Sequence, residues 1–130
     1  MLDDTLPQWI ERAEEDFHLA QTALRQRKHP AYNSTCFHAQ QSAEKYLKAF
    51  LTRHKITFRK IHDLRELRRQ CVEVDGAFDL LTDSLLLLNQ FAIDARYPGL
   101  PLTKDDARDA VAAMKQVRTF IRARLGLKTN

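Results

Sequence analysis

YNSTCFHAQQSAEKYLKAFLTRH, residues 32–54, is the stretch whose reading decides the fold. Tyr32, Cys36, Ala39, Ala43, Tyr46 (or Leu47) and Phe50 recur at spacings of three and four, so they share one face of a helix. Strict polar/apolar alternation, the mark of a half-buried strand, is absent here and elsewhere in the chain.

The same period recurs on both sides of this stretch. From about Leu6 to Lys28, Trp9, Ala13, Phe17, Ala20 and Leu24 line one face, with Asp4 or Thr5 as cap and Pro7 in the first turn. The acids Glu11, Glu14, Glu15 and Asp16 come early and Arg25, Arg27 and Lys28 late, an order that complements the helix dipole. A short third helix is predicted from His62 or Asp63, with Leu64, Leu67 and Cys71 inward. A fourth, from about Ala77 to Ile93, carries Phe78, Leu81, Leu85, Leu88 and Ala92. Its run Leu85 to Leu88 is wider than one stripe needs, which predicts a central helix or one covered by a second subunit. A fifth opens with Thr103-Lys104-Asp105-Asp106, a capping-box pattern with Asp in place of Glu, and Gly126 closes it in a left-handed cap. All three Gly and all four Pro fall between these stretches or, as Pro7 does, at the very start of one. The expected fold is an all-α, up-and-down antiparallel bundle of four long helices plus one short, a single domain over 1–130 with its core at about 6–126.

Composition narrows the function classes. The 130 residues hold 44% hydrophobic and 29% charged side chains, the mix of a globular domain. No segment nears the roughly 20 apolar residues of a membrane span. The acidic start does not resemble a secretory signal, so a cytoplasmic location is expected. Cys36 and Cys71 make neither a disulfide scaffold nor a zinc knuckle. Bundle-core metal sites pair two Glu-x-x-His motifs, and Glu15-x-x-His18 stands alone, so neither metal nor cofactor is expected.

The net charge of +4 is unevenly spread. Nine Lys and Arg against two acids fill Lys45 to Arg69, whereas Gln70 to Ala110 holds eight acids against three bases. The basic segment either attracts phosphate or forms solvated helix faces.

Three strings carry possible chemistry. In the first, helical spacing sets His38, Gln41, Lys45 and Lys48 on a common stripe, a solvated face or the polar wall of a cleft, and Glu44 can pair with Lys48. In the second, Ile61-His62-Asp63-Leu64, Asp63 is suited to cap a helix and His62 to order against a neighbour. In the third, Asp94-Ala95-Arg96-Tyr97-Pro98-Gly99, Arg96 and Tyr97 either grip a phosphate and stack on a base, or staple the loop to the bundle.

In this order and spacing the strings resemble the HEPN domain family (higher eukaryotes and prokaryotes nucleotide-binding), over roughly residues 8–125. The resemblance rests on Ala31 to Ala49, His62 to Leu64, and Arg96 to Pro98. It implies a helical bundle that dimerises, often partnered with a minimal nucleotidyltransferase in a toxin–antitoxin-type pair, and binding nucleotide or RNA. The site residues it implies are His38, Gln41, Lys45, Lys48, His62, Asp63, Arg96 and Tyr97. Other branches are metal-independent ribonucleases with an Arg-x4-6-His motif late in the bundle. Here the positions at that spacing after Arg96 are Pro101, Leu102 and Thr103, and no histidine follows His62. Arg12-x5-His18 meets the spacing only on the first helix. Cleavage through a 2′-hydroxyl needs a proton-moving group and a cation for the phosphorane charge. Arg96 offers the second, and His38 or His62 must supply the first. A non-catalytic binding module is therefore the expectation, with the ribonuclease and a purely structural dimerisation module as alternatives.

Overall fold

Five helices arise where the apolar period predicts them, at Thr5–Leu24 (α1), Tyr32–Arg53 (α2), Leu64–Val74 (α3), Thr82–Asp94 (α4) and Lys104–Arg124 (α5). The computed structural model describes residues 5–95, 97, 99 and 101–130, and among these there is no strand. No helix among them is long and apolar enough to cross a membrane.

The boundaries have physical causes. α1 starts at Thr5, so Thr5 lies inside it, and Asp4 is outside the described residues. It ends at Leu24 rather than Lys28, because the buried stripe of Ala13, Phe17 and Ala20 runs out and Arg25 to Lys28 have no core to cover. Asp63 caps α3 by accepting from Arg65 N at 2.9 Å. The Thr103–Asp106 capping box forms in both directions, at 3.1 Å and 2.9 Å. α5 closes as foreseen through Gly126 at φ 74°, with Leu127 N donating to Arg122 O at 2.8 Å.

The predicted fourth helix is two elements. Gly76–Leu81 is a 3-10 helix capped by Asp75, and α4 follows it. Phe78, Leu81, Leu85 and Leu88 still point inward, because spacings of three and four serve both helix types. The α-helical part of the fourth is thereby 13 residues long, against 20 to 22 for α1, α2 and α5. The leucine run is not the centre of the bundle: Leu85 and Leu88 are buried, while Leu86 and Leu87 face outward.

The centre is α2, which packs against the other four α-helices. Ala39, Ser42 and Ala43 let α1 approach closely, and Ser42 Oγ donates to Ala13 O at 2.9 Å. α1 runs antiparallel to α2, as the pairs Ala13–Ser42 and Asp16–His38 require. α5 runs parallel to α2. Asn33 meets Leu102 at their beginnings, and Tyr46 meets Arg122 toward their ends. Phe50, Phe78 and Phe120 stack through the core at centroid separations of 4.5 Å and 4.9 Å. Burial pushes the Cys36 thiol up to about 12 and the Cys71 thiol upward as well, so both are inert apolar fillers.

Candidate binding site

α2 carries an unusual load of polar residues on buried positions, and two of the acids involved organise a continuous strip. Asp16, on α1, is only 6% exposed, at the crossing with α2. Its Oδ1 lies 2.8 Å from His38 Nδ1 and its Oδ2 accepts from Lys45 Nζ. Glu44, on α2 itself, is 2% exposed. Its Oε1 lies 2.9 Å from His62 Nδ1, and its Oε2 accepts from Lys48 Nζ at 3.3 Å. Each buried carboxylate thus holds one imidazole and one ammonium.

Two glutamines complete the strip. Gln41 Nε2 donates to Gln40 Oε1 at 2.7 Å, while Gln40 Nε2 spans Glu44 Oε1 at 3.5 Å and His62 O at 3.3 Å. Lys48 is 5% exposed, and its ammonium sits 5.5 Å from the Trp9 ring centroid and 5.7 Å from that of Phe58. Charge on Glu44 and two aromatic faces compensate it. With neutral imidazoles, two lysines and two acids cancel. The strip becomes positive only when His38 or His62 takes a second proton.

A carboxylate only accepts, so Nδ1 of each imidazole carries the proton that bonds Asp16 or Glu44, and Nε2 is the ring atom open to a ligand. His62 is the more accessible, its side chain 62% exposed. Such a carboxylate-held imidazole can accept a proton, or donate to a phosphate oxygen.

His38, Gln41, Lys45, Lys48 and His62 are therefore brought together, although each meets a partner inside the fold. Asp63 turns away to bind the Arg65 guanidinium at 3.1 Å and 3.0 Å. Those hydrogen bonds hold its carboxyl below the ordinary range. Tyr97 is exposed and shares no hydrogen bond with the strip. Arg96 lies outside the described residues.

Two structural acids escaped the sequence reading. Asp16 was legible as a buried position, since Ala13, Asp16 and Ala20 fall at spacings of three and four on one face. Glu14 gathers Arg118 bidentately at 2.8 Å and 2.7 Å, and accepts from Tyr46 OH at 2.5 Å. No local pattern joins residues 104 positions apart.

The model of the HEPN domain family matches residues 6–124. Among solved structures, the crystal structure of TT1696 from Thermus thermophilus superimposes with a TM-score of 0.77 at 22% identity, over 94% of this chain and 99% of that one. At that identity the likeness is one of fold. No curated protein matches the chain.

Proposed function

Because the chain belongs to the HEPN domain family, we propose that it is a non-catalytic binding and assembly module, holding nucleotide or RNA phosphate along the α2 strip. It works as a homodimer partnered with a minimal nucleotidyltransferase in a toxin–antitoxin-type pair. The observation that carries the binding reading is the pair of imidazoles, each held through Nδ1 on a buried carboxylate. In imidazolium form each offers Nε2–H to a phosphate oxygen without breaking its internal bond, a charge-assisted contact. Arg96 and Tyr97 are proposed to add a guanidinium and a stacking ring.

Titration of ATP and of a short single-stranded RNA into wild type, His62→Ala and Arg96→Ala tests this. Loss of about tenfold in affinity in each variant is expected, the worth of one charged hydrogen bond. Equal binding by all three proteins, or none by any, overturns it.

One observation favours a second reading, the metal-independent ribonuclease. The Glu44–His62 pair has the carboxylate–imidazole arrangement of a general base, with the ring accessible. RNA cleavage that vanishes in His62→Ala replaces the non-catalytic reading with this one.

A further inference from the structure

A second basic feature lies away from the strip, where the loop after α1 meets the beginnings of α2 and α5. It is a hollow of about 540 Å³, lined by Arg25, Gln26, Arg27, Tyr32, Lys104 and Arg108, a size suited to a small ligand. No acid lines it. Asp105 and Asp109 adjoin Lys104 and Arg108 in sequence but do not line it, and Asp106 is engaged by Thr103 N at 2.9 Å.

Three independent features mark this hollow. Arg25, Arg27, Lys104 and Arg108, which form no ion pair with a described residue, converge on one hollow that has no carboxylate in its lining. Lys104 and Arg108 occupy the first turns of α5, where the helix dipole disfavours cations, so helix stability gives no reason for them. α2 also starts here at Tyr32 with no side-chain cap, leaving its first-turn amides without that partner. The loop cations are partly pre-organised, because Arg25 N and Gln26 N are tied to α1 carbonyls at 3.2 Å and 3.3 Å.

We propose that this hollow is an anion site for an oligophosphate chain, with the guanidiniums and ammonium on the phosphates and the Tyr32 ring as its apolar wall. A pocket lined by one sign of charge focuses the field on a compact polyanion more than on a singly charged one. The site uses none of the strip's residues and does not rest on the reading given for them.

Calorimetric titration with inorganic tripolyphosphate, ATP and AMP at low salt tests the site. Wild type is expected to bind tripolyphosphate and ATP, and AMP more weakly. Arg25→Ala/Arg108→Ala is expected to lose at least about tenfold, the worth of a charged contact. Arg59→Ala/Lys60→Ala, which removes as much exposed charge elsewhere, is expected to bind tripolyphosphate as wild type does. ATP binding that exceeds tripolyphosphate and falls to its level in Tyr32→Leu identifies a nucleoside triphosphate. Equal affinities identify the phosphate chain alone. Arg25, Arg59, Lys60 and Arg108 are all exposed, so unchanged melting curves exclude misfolding. Absence of binding by wild type, or equal loss in both double variants, overturns the proposal. So does a short single-stranded RNA that binds more tightly than tripolyphosphate and weakens alike in both.

Discussion

Three donors converge on the Glu44 carboxylate in its nearly sealed position: the Lys48 ammonium, the His62 imidazole and the Gln40 amide. Removing that carboxylate leaves the Lys48 ammonium buried without its ion-pair partner, which costs more than the pair contributes. Glu44→Ala is therefore expected to destabilise by about 3–5 kcal/mol in urea unfolding. Glu44→Leu/Lys48→Met, which removes both charges and keeps the volume, is expected to cost clearly less than the single change. At this scale part of the site was legible. Glu44–Lys48 follows from helical spacing, whereas His62 reaches Glu44 only because the linker after α2 folds back over it. Asp63 took the capping role that its place before an apolar turn implies.

At the scale of elements, Glu14 shows how a single side chain joins three helices. It holds Tyr46 of α2 and Arg118 of α5 against α1, with Arg122 at 3.6 Å. Burial pushes its carboxyl upward, but hydrogen bonds from Arg118 and Tyr46 and the charges of both arginines push it further down, below the ordinary range. A depressed folded value means the contribution is present above the unfolded Glu value of about 4.3 and is lost as pH falls through the folded one. Glu14→Gln is expected to cost about 1–3 kcal/mol near neutrality, with the difference from wild type shrinking on acidification. Urea melts across the acid range check this. A difference that grows toward low pH contradicts it. The helices themselves were legible from their periods, but the split at Gly76–Leu81 was not, since one inward list fits both a 3-10 and an α geometry.

For the whole molecule, the leucine run, which predicted a central helix or one covered by a second subunit, leaves Leu86, Leu87 and Ile93 exposed on α4, with Leu80 72% exposed in the preceding 3-10 helix. An apolar face of this kind suits a second copy of the chain, in keeping with the proposed homodimer. Leu86→Lys/Ile93→Lys is expected to convert a dimer to monomer in light scattering with the melting temperature of the monomer preserved. Monomeric wild type, or a variant that stays dimeric, contradicts this placement of the interface.

By itself, the sequence determined the five-helix pattern, most inward faces and the principal caps, because those depend on spacings within a turn or two of helix. Only the tertiary structure decided which helix is central and how the polar strip is neutralised. Helix packing set α2 among its four neighbours, and Asp16 and Glu14 acquired their partners through crossings between segments far apart in the chain. A side chain's charge is written in its own residue, but whether that charge is spent inside the fold depends on what the crossing brings within reach.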